Sequence, residues 1–364
     1  MRTPTNRILF YTALSLFIPL LIVPTLHART FPHIVAFGDS LTDHEGARSI
    51  IEPSEIDFIV PEAWTNCPES GPCVWVEYMA EKWGATIDNN AIGGALTDGH
   101  ESEDIETAID LGLLPPLGLI GRVDEYVDDA PAFDPNNTLF SVWIGANDLL
   151  EFSRGQSDAA TPEALITDAI GNIQTALNEL AVIGAQHFLI LSLPDISQSP
   201  RFISRTTEER AAAQALVQSF NTALENAVNN FDAANPAITV YRFNVFSFLN
   251  SAMQDGTFAN TTGTLLVDPD DPAGAVNEPV NDYLFWDEIH PTTRAHGLLG
   301  DAVAESVEDR DDDDDDDDNT CFIAVASGTG RASSSWMTVV LFAVGMGMAA
   351  MRGLHSKNEQ TDGS

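Results

Sequence analysis

Basic residues are scarce in this chain. Its 364 residues include 16 Lys and Arg against 55 Asp and Glu, a net charge of −39, of which the aspartate run 311–318 supplies eight. Such a chain lacks the basic face with which proteins neutralise phosphates and release counterions, so nucleic acid is excluded as a partner. An unaided electrostatic hold on anionic lipid is disfavoured for the same reason. Cysteine is nearly as rare, with three. Cys67 and Cys73 enclose a turn-rich Pro-Glu-Ser-Gly-Pro loop that could close as a disulfide in an oxidising compartment, two free thiols being the alternative. Cys321 is left without an evident mate. Neither His-Glu-x-x-His nor paired zinc ligands occur, so no metal is expected, and no cofactor.

Long apolar runs are confined to the two ends. Arg2 and Arg7 precede the apolar stretch 8–26, with Ala28 placed before a cleavage point, which reads as an export signal over 1–28. An uncleaved anchor is the alternative reading. At the other end, an acidic stretch over 309–335 repels itself and is expected to be a solvated linker. The uncharged apolar run 336–351 follows, then a tail, 352–364, with Arg352, His355 and Lys357. Acids before the run and bases after it predict a membrane anchor with the main domain outside and a cytoplasmic carboxyl end. The arrangement resembles the tripartite sorting tails of exported bacterial proteins; an amphipathic helix docked on the domain is the alternative. The expected location is the cell surface, with release to the medium as a further outcome.

Between these ends, residues 29–308 suffice for one domain. Strand-like runs at 34–37, 85–88, 139–144, 187–193 and 238–243 alternate with helix-like ones. Helical spacing marks 74–82, a segment beginning at the cap-and-proline pair Thr161-Pro162, then 208–231 and 292–307. The Gly-, Pro- and Asp-rich stretch 254–282 reads as a loop over one rim. Alternation of this kind predicts an α/β fold, a three-layer α/β/α doubly wound, flavodoxin-like parallel sheet of about five strands in a single catalytic domain.

Four stretches carry chemistry, three of them directly after a predicted strand. The run 34–37 ends at Gly38-Asp39-Ser40, where a buried parallel strand delivers a side chain to the sheet's carboxyl edge. Capping of a following helix would explain the same Asp and Ser. Asn89-Asn90-Ala91-Ile92-Gly93-Gly94 follows the second strand, and its glycines would let backbone N–H groups approach a ligand, or simply serve a tight turn. Gly145-Ala146-Asn147-Asp148 follows the third, and offers an amide donor or a helix cap. Asp287-Glu288-Ile289-His290-Pro291 sets an acid three residues before a histidine, able to hold the imidazole in one tautomer. A serine hydroxyl needs a base, the base an orienting acid, and the tetrahedral oxyanion waiting donors. The four stretches together supply every part.

In these blocks, in this order and spacing, the chain resembles the GDSL esterases and lipases of the SGNH hydrolase superfamily over about residues 31–307. The resemblance implies that Ser40 is the nucleophile, His290 the base and Asp287 its orienter. It further implies an oxyanion hole of the Ser40 N–H, the Gly94 N–H and the Asn147 amide, with Gly93 as the fallback for Gly94. No Gly-x-Ser-x-Gly elbow occurs, which disfavours the ordinary α/β-hydrolase arrangement. His44, His100, His187 and His296 lack an acid at the same spacing and read as structural or solvent-facing. Asp43 and Asp148 flank the site and are expected to set loops and hydrogen bonds.

The expected activity is carboxylic ester hydrolysis through an acyl-enzyme, with a small-molecule or lipid ester as the substrate. Lipid or phospholipid esters fit the apolar segments 111–119 and 243–249 as an acyl groove, although core packing explains them as well. Deacetylation of a polysaccharide is the rival, with Trp64, Trp75 and Trp83 as sugar contacts. A non-catalytic surface adhesin is the reading from outside enzymology.

Overall fold

The structure is a computed structural model that describes residues 29–44, 65–268, 271 and 274–310. The expected export signal 1–28, residues 311–335 of the expected linker, the apolar run 336–351 and the tail 352–364 lie outside the described residues. Among those described, no helix is long and apolar enough to cross a membrane.

Strand β1 (His33–Gly38) leads through an irregular stretch to helix α1 (Trp75–Trp83) and then β2 (Thr86–Asn89). A small hairpin, β3 (Ala95–Leu96) and β4 (Gly99–His100), precedes helices α2 (Glu103–Asp110) and α3 (Leu119–Asp129). Next come β5 (Thr138–Trp143), α4 (Ala146–Arg154), α5 (Pro162–Val182) and β6 (His187–Leu191). The short α6 (Pro200–Ile203) and the long α7 (Thr207–Ala234) lead to β7 (Thr239–Phe243) and α8 (Val245–Gln254). The chain closes with β8 (Asn260–Thr264), β9 (Tyr283–Phe285) and α9 (Thr293–Arg310).

The main sheet has the order β2-β1-β5-β6-β7, every pair parallel. Strand β5 is buried along all six residues and β6 along all five, as strands covered on both faces are, which is why they read as largely apolar runs, broken only by Thr138, Ser141 and His187. The order reverses at β1. The connections run to one side of that strand and then to the other, which puts helices on both faces of the sheet. Helices α1 and α9 pack together as one layer, while α5 packs between α3 and α7 in the other. The two reversed crossovers also open a crevice at the carboxyl ends of β2, β1 and β5, where open α/β sheets bind ligands.

Local chemistry sets the helix boundaries. The Thr161 hydroxyl accepts from Ala164 N–H ahead of Pro162, and Thr206 with Glu209 forms a reciprocal capping box for α7. Two boundaries differ from expectation. The stretch 254–282 is not all loop, because threonine-rich β8 pairs in parallel with β9 and helps to frame the segment carrying His290. Helix α9 continues through Asp309 to Arg310, past the expected end of the domain.

Candidate active site

The strand order assembles the site. Ser40 follows β1, Gly94 follows β2 and Asn147 follows β5, so three neighbouring strands deliver three groups to one crevice. Beyond Gly38 the chain turns at once, with Thr42 and Asp43 N–H donating to the Asp39 carbonyl and Leu41 N–H to the Asp39 carboxylate. Asp39 therefore does the local capping. The Ser40 hydroxyl lies instead 2.8 Å from His290 Nε2.

His290 sits in a turn closed by Trp286 N–H donating to the His290 carbonyl. One oxygen of Asp287 accepts the N–H groups of Ile289 and His290, each at 2.7 Å, and the other lies 2.6 Å from His290 Nδ1. The backbone thus fixes the carboxylate, and the carboxylate fixes the ring. With Nδ1–H given to Asp287, Nε2 is left to accept from Ser40. Burial pushes Asp287 up, but the His290 charge and the hydrogen bonds it accepts leave it below the usual carboxylate value. For His290, burial favours the neutral ring, yet the charge and hydrogen bond of Asp287, helped by Asp39 and Glu101, raise it above the ordinary value. Asp39, buried beside Ser40, is pushed by desolvation up to about 7.

Neither the Ser40 nor the Gly94 N–H engages an acceptor among the described residues. The Gly93 N–H is already committed, 2.6 Å from Asp43 Oδ2, which makes Gly94 and not Gly93 the available glycine. Asn147 is not the cap of α4, a position held by Gly145 at a φ of 111°. Its amide donates to the Ala95 carbonyl at 3.0 Å, which uses one of two N–H groups. Asp148 beside it accepts from the N–H and hydroxyl of Thr97, so Asp43 and Asp148 both hold the glycine loop.

Ser40, Asn147, Asp287 and His290 border a pocket of about 210 Å³ whose walls include Leu41, Leu150 and Ile289 and whose rim includes Glu101, Arg154 and Arg201. Arg154 pairs with Glu101 at 3.1 Å and Arg201 with Glu288 at 3.4 Å. The same two arginines border a larger cleft of about 1130 Å³, floored in part by Phe152, Ile166, Phe202 and Leu216. Nothing in the sequence singled out Arg154, Arg201 or this cleft. Its apolar residues come from four helices, and only their packing brings them together.

The other candidates separate cleanly. Cys67 and Cys73 form a disulfide. His44 pairs with Glu77, His187 with Arg29, and buried His296 accepts from Trp75 N–H. Trp75 is fully buried edge-on to Trp143, partly buried Trp83 donates to Glu308, and neither borders the pocket at Ser40; Trp64 lies outside the described residues. Of the two segments considered for an acyl groove, Phe243, Val245 and Leu249 are core, while Leu111 and Leu113 are exposed and do not border the pocket.

Comparison with known proteins accords with this geometry. The family described as GDSL-like Lipase/Acylhydrolase matches residues 34–303. A thermolabile hemolysin of Vibrio parahaemolyticus is 26% identical over 296 residues, covering 75% of this chain and 63% of the hemolysin. The chain therefore spans less than two thirds of that relative's length. An acetylesterase of Thermothelomyces thermophilus is 24% identical, covering 75% of this chain and 87% of its own. A phosphatidylcholine-sterol acyltransferase of Aeromonas hydrophila is 24% identical, covering 77% and 91%.

Proposed function

We propose, from the premise that this chain belongs to the GDSL-like lipase/acylhydrolase family and is a carboxylic ester hydrolase, that Ser40, His290 and Asp287 carry its reaction. Ser40 Oγ attacks the ester carbonyl carbon while its proton passes to His290 Nε2. The oxyanion that forms is met by the N–H groups of Ser40 and Gly94 and by the second N–H of Asn147. Collapse of this intermediate breaks the C–O bond, and the departing alcohol takes the proton from His290. Water then gives a proton to the same nitrogen, attacks the acyl-enzyme, and releases the acid with Ser40 restored. Asp287 keeps the ring in the working tautomer and offsets its transient charge.

The observation that carries this reading is the unbroken line Ser40–His290–Asp287, at 2.8 and 2.6 Å, beside two N–H groups with no acceptor among the described residues. Ser40→Ala should abolish hydrolysis of p-nitrophenyl esters with the circular dichroism spectrum unchanged. Full activity in that variant overturns the assignment.

For substrate, the reading is a lipid or phospholipid acyl ester whose hydrocarbon extends past Arg154 and Arg201 onto Phe152, Ile166, Phe202 and Leu216. The acyltransferase relative supports a lipid, and the size of the adjoining cleft supports a long chain. A second reading, removal of short acyl groups such as acetate from a saccharide, is favoured by the small volume around Ser40 and by the acetylesterase relative. A p-nitrophenyl ester series from acetate to palmitate separates them. Rising kcat/KM with chain length supports the first, and a maximum at acetate the second. The enzyme is further proposed to be exported and held by the run 336–351, in keeping with the signal-like 1–28 and the Cys67–Cys73 disulfide. Recovery of the intact chain in the soluble cytoplasmic fraction would contradict export.

A further inference from the structure

The loop that presents the Gly94 N–H is pinned at nearly every residue. Asp43 takes the Gly93 N–H, Glu101 N–H donates to the Gly94 carbonyl, Asn147 binds the Ala95 carbonyl and Asp148 holds Thr97. One contact differs from the rest in what it controls. His100 Nε2 lies 2.8 Å from the Gly93 carbonyl oxygen. That oxygen and the Gly94 N–H belong to the same planar trans peptide and point in opposite directions. Fixing the carbonyl therefore aims the N–H, and a hydrogen bond to the carbonyl also polarises the amide and strengthens its donor end.

The ring is built for this single task. His100 ends strand β4, directly opposite Ala95 in the hairpin, so the turn folds it back over the glycines. It is 6% exposed. Its Nδ1 accepts from Ser102 N–H at 3.0 Å, which leaves the proton on Nε2, facing Gly93. Burial moves the ring below the ordinary imidazole value, against the opposing effects of the Gly93 carbonyl and Glu101. Contact with Gly94 is so close that a Cβ there would lie 2.8 Å from the imidazole, and Gly94 adopts a φ of 81° that itself favours glycine.

We propose that His100 is a positioning residue of the oxyanion hole, which through its Nε2–H orients and polarises the Gly93–Gly94 peptide whose N–H meets the developing negative charge. This rests on the assignment of Ser40 as nucleophile and Gly94 as donor. The role acts on the transition state, so its loss lowers kcat and leaves KM nearly unchanged.

Two amide replacements test it. His100→Asn keeps an acceptor near Ser102 N–H but does not reach Gly93, whereas His100→Gln places an N–H near the position of Nε2. The expected result is a kcat reduced about tenfold or more in His100→Asn, short of the ~10²–10³ for loss of a direct donor. KM should stay within about twofold, and His100→Gln should recover most of the rate. Equal loss in both variants, or a wild-type kcat in His100→Asn, overturns the proposal. Ser40→Ala assayed alongside separates the two readings: full activity there removes the nucleophile assignment, while its inactivity together with a wild-type His100→Asn rejects only the role of His100. Urea midpoints for all variants identify any loss of folded protein, and kcat is expressed per folded molecule.

Discussion

Asp287 grips His290 twice, with one carboxylate oxygen on the ring Nδ1 and the other on the residue's own backbone N–H. A side chain held only by its ring could swing with the loop; here ring and backbone are fixed to the same carboxylate. This double hold keeps Nε2 turned toward Ser40, and the negative charge beside it sets the pH range in which the base works.

That range can be measured. The base must be neutral to take the Ser40 proton, so kcat/KM should rise with pH through the His290 value, which is raised above the ordinary 6.5. Asp287→Asn removes the main stabiliser of the imidazolium, and the acid limb should move to lower pH while the rate falls by about 10⁴. Asp39→Asn removes a weaker one and should shift the limb in the same direction by less. A pH-stat profile on a neutral ester checks both, and a limb unmoved by Asp287→Asn would contradict the account.

Asn147→Ala should lower kcat by about 10²–10³ with little change in KM, as loss of an oxyanion donor does. Steady-state kinetics decide this. A loss below about threefold would make Asn147 only a brace for the Ala95 carbonyl.

How much of this was legible in the sequence follows from what each feature depends on. Five strands stood out because parallel strands covered on both faces are mostly apolar, as 139–143 and 187–191 are apart from Ser141 and His187. Ser40, Gly94, Asn147 and His290 stood out because each occupies a short motif at the end of an element. By contrast, β8 was hidden in a Gly-, Pro- and Asp-rich stretch, since its pairing with β9 is a long-range event with little local signature. His100 looked idle because its partner is a backbone carbonyl, and a carbonyl leaves no mark in a sequence. Arg154 and Arg201 sit 47 positions apart and meet their acids only after α4 and α6 pack.

The disulfide loop is tied to the segment after His290. Thr65 donates its hydroxyl to the Pro291 carbonyl, Thr293 N–H donates to Asn66, and the Thr293 hydroxyl donates to the Cys73 carbonyl. Replacing Cys67 and Cys73 together by Ser should destabilise the fold by about 2 kcal/mol, from the entropy of a short closed loop. It should also lower kcat, because Pro291 and Thr293 flank the base. Urea unfolding and kinetics on the oxidised, dithiothreitol-treated and double-Ser proteins check this. Unchanged stability and rate would show the loop to be passive.

The most direct test is covalent. Treated with a fluorophosphonate and digested, the protein should yield one modified peptide, with the added mass on Ser40. Labelling should be lost in Ser40→Ala and strongly slowed in His290→Ala. Modification at another serine, or Ser40 labelling that proceeds equally fast without His290, would contradict the mechanism.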